Sequence, residues 1–286
     1  MNETPVGGAE FGNSPVLKAL KLFAYVAQAS ERPMLAELSR AVALPKPTSY
    51  RLALMLEAAG YLHKDPQTLR YSVGPKFEDV ALSGLRNGGA GGARRLIMEG
   101  LAKRLGARVN FVVLRAGELA FVEWVDSTSA LRVDLKPETP VPIHCSASGK
   151  LLMAYAPHEL RQRFLKSAPF RAYTKSTIVT ARALEQEFER IRSKAYGEDD
   201  QEFIRGVNCL AVPVRNASGD VVAGLAMMAP VASLPLAAAR EYLPDLHRCA
   251  DAIATELGWK SANPHTAQVG KKSGMARRRL ERRSAA

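Results

Sequence analysis

Cysteine is scarce in this chain of 286 residues: Cys145, Cys209 and Cys249 lie far apart, and no CxxC pair occurs. An odd, dispersed set supports neither a disulfide framework nor a zinc site, so reduced thiols and no metal are expected. Neither an HExxH helix nor a Ser-His-Asp pattern is present, which removes two common hydrolase signatures. No apolar run approaches the roughly 20 residues of a membrane span. Met1 to Asn13 is polar and glycine-containing, without the apolar core of a signal peptide. A cytoplasmic chain with no membrane partner and no cofactor is expected.

What is present is an ordinary globular composition, 47% hydrophobic and 24% charged, on a chain long enough for two domains. The formal charge of +12 is unevenly spread. Residues 1–85 hold nine Lys and Arg against eight Asp and Glu, residues 86–260 hold 24 against 19, and residues 261–286 hold seven against one. Half of the excess therefore belongs to a basic tail, expected to lack a fixed fold, and the charge alone is no sign that the body binds nucleic acid.

The patterning says more. Ser14 and Pro15 open a first helix with Val16, Leu20 and Phe23 on one face. Leu35, Leu38 and Val42 mark a second, stopped by Ala43, Leu44 and Pro45. Proline in a helix interior costs about 3 kcal/mol but little at the first position, so Pro47 must begin a third. Its apolar side is read as Tyr50, Leu52, Leu54, Met55 and Leu56, with Gly60 past its end. Two short helices joined by a tight turn form a helix-turn-helix, whose second member enters a major groove. Thr48, Ser49, Tyr50 and Arg51 are then candidate base readers, and Lys46 a phosphate contact. The segment from Tyr61 to Val73 reads as strand, Asp65-Pro66-Gln67-Thr68 turn, strand, which makes a wing with Lys64 and Arg70 flanking its tip toward phosphates.

Pro75 starts a further helix, and the run from Asn87 to Gly92 is glycine-rich enough to end it as a flexible joint. A helix from about Ala93 to Leu105 follows, then two strands from Arg108 to Asp126 turning at Ala116-Gly117, and a third over Leu131–Leu135. A strand ending at His144-Cys145 runs through Ser146-Ala147-Ser148-Gly149 into a helix. Such a junction suits an anion at free backbone N–H groups, or is simply a well-capped helix. Thr180 caps a helix with Leu184, Phe188 and Ile191 inside; Gly197–Gly206 reads as an acidic loop, Val207–Ala229 as a hairpin, and Leu236–Gly258 as a closing helix. An enzymatic alternative is a thiol hydrolase or redox enzyme using Cys209. Adjacent strand residues face opposite ways, so His144 and Cys145 do not act together on one substrate, which leaves Cys209 without a base.

Taken together, the helix-turn-helix over Leu35–Leu52, the wing over Asp65–Gly74, the junction His144–Lys150, the segment Thr174–Val179 and the hairpin Gly206–Pro230 resemble the isocitrate lyase regulator (IclR) family of bacterial transcription factors, from about Ser14 to Trp259. The resemblance implies an α+β chain of two domains, an N-terminal winged helix-turn-helix followed by a GAF-like mixed α/β effector-binding domain with six strands or so. The boundaries are a disordered arm over 1–13, the winged helix over 14–74, a linker helix and Gly-rich joint over 75–92, the effector domain over 93–260 and the basic disordered tail over 261–286. It also implies a homodimer or tetramer, held through the first helix and the joint helix, on double-stranded operator DNA of pseudo-palindromic sequence. A small organic or aromatic acid is the implied effector, bound by the N–H groups of Ala147 and Ser148 with the side chains of Asp199 and Cys209. The sequence departs from the family where glycine is usual, having Ala43 after the second helix and Leu69 at the wing tip.

Overall fold

The computed structural model describes residues 14–29, 31–87, 89–115, 117–126, 133 and 139–258. The expected arm, the strand over Leu131–Leu135 except Val133, and the basic tail lie outside the described residues. The chain divides into two compact units, Met1–Leu85 and Arg86–Ala286.

In the first unit, α1 (Pro15–Gln28), α2 (Leu35–Ala41) and α3 (Lys46–Ala58) precede a two-stranded ribbon of β1 (Leu62–Lys64) and β2 (Tyr71–Val73), and α4 (Pro75–Asn87) follows. Their core joins Leu22 and Val26 of α1, Leu38 of α2, Leu52 and Ala53 of α3, and Leu62 and Tyr71 of the ribbon. This corrects the expected face of α1, since Val16 and Leu20 are exposed and the inner stripe runs through Ala19, Leu22, Phe23 and Val26. Helix α3 starts one residue earlier than expected, with Pro45 as its cap and Pro47 in its first turn. Its apolar side is also shifted: Tyr50, Leu54 and Met55 are exposed, while Ser49, Leu52 and Ala53 are buried. The inner positions 49, 52, 53 and 56 have the spacing of one helical stripe.

Between α2 and α3 the backbone turns at Ala43, whose φ of 53° is left-handed, and the N–H of Leu44 closes onto the Ser39 carbonyl at 3.0 Å. This is a helix C-terminal closure normally given to glycine. The wing turn uses a second such residue, Leu69 with φ 57°. Asp65 holds the tip by accepting the N–H groups of Gln67 and Thr68 at 2.9 and 2.8 Å. Those two bonds pull its carboxyl below the usual carboxylate range.

The second unit opens with α5 (Gly89–Leu105), which begins within the glycine-rich run, four residues before the expected start. An antiparallel sheet of five strands, among the described residues, follows the order β4-β3-β7-β6-β5. Its members are β3 (Arg108–Arg115), β4 (Glu118–Val125), β5 (Gly197–Asp200), β6 (Val207–Arg215) and β7 (Val221–Pro230). The expected acidic loop therefore begins as an edge strand. Gly-Glu-Asp-Asp has little strand propensity of its own, and β5 exists because it pairs with β6, Gly197 opposite Ala211 through Asp200 opposite Asn208. Charged residues on an edge also discourage pairing with another chain.

Three helices, α6 (Ala147–Tyr155), α7 (His158–Leu165) and α8 (Ala181–Lys194), lie between β4 and β5 in the chain, and α9 (Leu236–Ala239) and α10 (Leu243–Glu256) close it. Leu151, Met153 and Ala154 of α6 pack with Leu184, Phe188 and Ile191 of α8 over Ala211 and Ala226 of the sheet. Thr180 caps α8 as expected, its hydroxyl accepting the Ala183 N–H at 3.3 Å. Ile143–Cys145 is a short 3-10 turn rather than a strand, so the argument from opposite strand faces does not apply there.

Candidate nucleic-acid interface and effector pocket

Helix α3 presents Lys46, Pro47, Tyr50 and Arg51 to solvent, with Thr48 half-buried. Its first turn carries no acidic side chain, so nothing there opposes the positive end of the helix dipole. Ser49 is fully buried and cannot reach a base edge, which removes it from the candidate readers. Leu54, one turn beyond Tyr50 and expected on the inner side, is 49% exposed. Its outward direction follows from the four-residue spacing to Tyr50, and an apolar side chain there can meet a thymine methyl group.

The wing residues differ from each other. Lys64 is half-buried, with its ammonium 5.9 Å from the centre of the Tyr71 ring. Arg70 turns back onto the body: Nη1 donates to the Arg32 carbonyl at 2.5 Å and lies 3.7 Å from the Glu37 carboxylate. Glu37 in turn accepts the Met34 N–H at 2.7 Å at the start of α2. Arg70 thus ties the wing to α2, a structural task beside the phosphate contact expected of it.

In the second unit, Ala147, Ser148, Asp199 and Cys209 line one pocket, together with Asn110, Phe121 and Met228 among others. The pocket is a small cavity of about 40 Å³, partly open to solvent. Ser146 caps α6 by accepting the Gly149 N–H at 3.2 Å while donating to the Pro142 carbonyl at 2.9 Å. Ala147 and Ser148 form the start of α6, where a helix leaves its N–H groups without intrahelical acceptors, the type of site that suits an anion. Gly149 is needed for this turn, because a Cβ there would lie 2.5 Å from the Ile143 carbonyl oxygen.

Asp199 and Cys209 are directly paired across β5 and β6. Burial pushes the Asp199 carboxyl up to about 7, against the opposing pull of the Glu202 N–H, which it accepts at 2.7 Å. Glu202 in turn receives the ammonium of Lys150, which is 1% exposed and also lies 3.7 Å from Glu187. Arg190 holds Glu187 from the other side at 2.7 Å. This buried ion cluster, absent from the sequence reading, sits one turn behind the α6 N-terminus. Its signal was a lysine inside the apolar run Lys150–Ala154. The Thr174–Val179 segment acts here too: the hydroxyls of Thr174 and Thr177 donate to the carbonyls of Gln201 and Glu202 at 2.7 and 2.6 Å, fixing the turn after β5.

The thiols are poor nucleophiles in this setting. Burial pushes Cys145 up to about 12, and burial with the Asp199 carboxylate beside it raises Cys209 well above its usual value. A nucleophilic cysteine needs the opposite shift. Burial lowers the His144 ring, whose Nε2 meets the Arg171 carbonyl at 2.9 Å and which stacks on Phe170 with centroids 4.9 Å apart. His144 is thereby committed to the segment between α7 and α8.

Both units of the chain resemble known proteins. Residues 15–66 match the IclR helix-turn-helix domain and residues 92–255 the bacterial transcriptional regulator IclR C-terminal domain. A protein named "Probable transcriptional regulator SauR" from Cupriavidus necator is 30% identical over 239 residues, 84% of this chain and 95% of its own. The HTH-type transcriptional regulator KdgR of Escherichia coli is 27% identical over 246 residues, 85% and 94% of the two chains. Among solved structures, an IclR homolog from Microbacterium hydrocarbonoxydans complexed with 4-hydroxybenzoate superposes with a TM-score of 0.53 at 22% identity, covering 85% of this chain and 99% of that one. The motifs, the two units and these likenesses converge: the chain is a member of the IclR family of bacterial transcriptional regulators.

Proposed function

We propose that this regulator binds operator DNA through the winged helix and that a small organic or aromatic acid, held in the pocket beneath α6, changes that binding. The observation that carries the reading is the meeting of Ala147, Ser148, Asp199 and Cys209 in one pocket at a capped helix N-terminus. An N-terminal turn whose N–H groups lack intrahelical acceptors favours a carboxylate, and a buried Asp199 that takes up a proton near neutral pH tolerates it. The exposed row of Lys46, Tyr50 and Arg51 supports α3 as the groove-reading helix. That the same fold accommodates 4-hydroxybenzoate in the Microbacterium protein supports an aromatic acid as one effector class.

The protein acts as a homodimer or tetramer in this reading, with two winged helices on the half-sites of a pseudo-palindromic operator. Effector shifts the balance between DNA-competent and incompetent states by its difference in affinity for them. The raised thiols speak for a regulator over a thiol enzyme at Cys209.

Fluorescence anisotropy of the full chain on its own upstream intergenic DNA, against a scrambled duplex at physiological salt, tests the DNA half. A preference of at least about a thousandfold is expected. A ratio near one that no acid alters would overturn the proposal.

A further inference from the structure

We infer that the second unit carries a contact surface of its own for double-stranded DNA, formed by Lys166, Arg171, Lys175 and Arg182 on and between α7 and α8. This goes beyond the operator reading above and rests on it for DNA as the polyanion. From Leu160 to Leu184, 25 residues, the chain holds six Lys and Arg and neither Asp nor Glu. Of the six, Arg161 turns to Glu185 at 3.7 Å. The other five, Arg163, Lys166, Arg171, Lys175 and Arg182, are exposed, and among the described residues none of their side chains has an anionic partner. Elsewhere in this unit cations meet carboxylates, as Arg94 does Glu123, Arg190 does Glu187 and Arg240 does Glu198.

The fold gathers these charges. The N–H of Phe170 donates to the Val179 carbonyl at 2.9 Å, which closes the segment between the helices on itself, and the Phe170 ring stacks on Phe164 of α7 with centroids 5.1 Å apart. Lys166 follows Phe164 by two positions, Arg171 follows Phe170 by one and Arg182 follows Val179 by three, so these cations border one patch. Lys175 lies in the turn that Thr177 closes, its hydroxyl accepting the N–H groups of Tyr173 and Thr174 at 3.0 and 2.9 Å. Phe164, Phe170 and Ile178 pack against the core, which leaves the charge outside. Helix α8 begins beside this patch with no acidic residue in its first turn, so the positive end of its dipole adds to the field.

The make-up of the patch selects its partner. A protein interface is anchored by apolar and aromatic side chains at its centre, where lysine is depleted. Between α7 and α8 the large apolar side chain that stands exposed is Tyr173, and the Arg171 guanidinium lies over its ring at 5.0 Å. A duplex asks for the reverse, cations and hydroxyls at its phosphates with no apolar anchor. Contacts of this kind add affinity on any sequence and carry no sequence information.

Fluorescence anisotropy of the full chain on its own upstream intergenic DNA and on a scrambled duplex, each across a salt series, tests this. Each phosphate contact adds about 0.9 to the slope of log affinity against log salt. The four-residue variant Lys166→Gln, Arg171→Gln, Lys175→Gln, Arg182→Gln is expected to flatten that slope by at least about two on both duplexes, and to keep the ratio of the two affinities within about threefold of the wild-type one. A control carrying Lys103→Gln and Lys194→Gln, at exposed cations of α5 and α8, is expected to change the slope by less than about half a unit. The charge-keeping pair Arg171→Lys, Arg182→Lys should retain it. Thermal melts report whether the fold is kept; if the four-residue variant melts early, Lys166→Gln with Lys175→Gln carries the test, with half the expected change. A slope left unchanged, or flattened no further than in the control, overturns the inference. An unchanged slope with a lost response at the promoter overturns it in favour of an acidic protein partner. A wild-type affinity ratio near one, with the slope still flattened by the variant, fails the operator reading and leaves this surface standing.

Discussion

In the proposed reading, Asp199 is the residue through which pH acts on the pocket. Burial raises its carboxyl to about 7, with the Lys150 ammonium and the Glu202 N–H pulling down and the Glu202 carboxylate pushing up. A carboxylate bound at the α6 N-terminus raises it further, so binding takes up a proton. Affinity for an anionic acid is therefore expected to fall as pH rises above about 7, by at most tenfold per unit, and calorimetry in two buffers of different ionisation enthalpy reads the uptake. Asp199→Asn should remove both the uptake and the pH slope. In the free protein the folded value lies above the unfolded one. The stability Asp199 contributes is thus fully present below about pH 4 and is lost as pH rises through about 7. On the DNA side, Arg51→Ala is expected to cost about 1 to 3 kcal/mol on the operator and to relax specificity. Lys64→Ala should weaken operator and scrambled duplex alike; equal losses on both duplexes for Arg51→Ala would remove that residue from base reading.

Two elements are closed by residues in an unusual conformation. Ala43 after α2 and Leu69 in the wing both adopt left-handed φ, which costs a residue with a Cβ about 1 kcal/mol. Ala43→Gly and Leu69→Gly are each expected to raise stability by up to about 1 kcal/mol, read as a higher urea midpoint with an unchanged slope. A lower midpoint would mean that the side chains contribute packing that outweighs the strain. Both positions were visible in the sequence only as departures from a family pattern, and their conformation gives those departures a physical meaning. Most elements were legible because their periodicity is strong: α8 is capped and faced as read, and the wing turn falls on Asp65–Thr68. What failed has common causes. Ser49 sits among polar neighbours and reads as exposed, yet it shares a stripe with Leu52 and Ala53. Strand β5 is specified by its partner rather than by its own residues. Of the pocket, the four residues expected there do line it, whereas Lys150, Glu202 and Asn110 depend on contacts between segments 30 to 90 positions apart, which no local pattern encodes.

At the scale of the whole molecule, the proposed function makes charge and dimer symmetry the quantities to test on DNA. The tail over residues 261–286 carries seven Lys and Arg against one Glu. Removing residues from Lys271 onward is expected to flatten the dependence of log affinity on log salt by at least about one unit, because fewer counterions are then released. An unchanged slope would assign all phosphate contacts to the rest of the chain. Two winged helices in a dimer call for half-sites about 34 Å apart or a multiple of it, a spacing that footprinting of the operator reads directly.

The start of α6 has a consequence for how such a regulator changes its allegiance. In the proposed reading the anchor for an acid is made of backbone N–H groups, which no substitution short of proline removes, while Ala226 in the pocket wall is one or two carbons from narrowing it. Descent or directed evolution can then reshape that wall in separate steps, each leaving the main-chain anchor in place. In that reading the scaffold is a reprogrammable detector, with its constant part in the main chain and its variable part in a few strand positions.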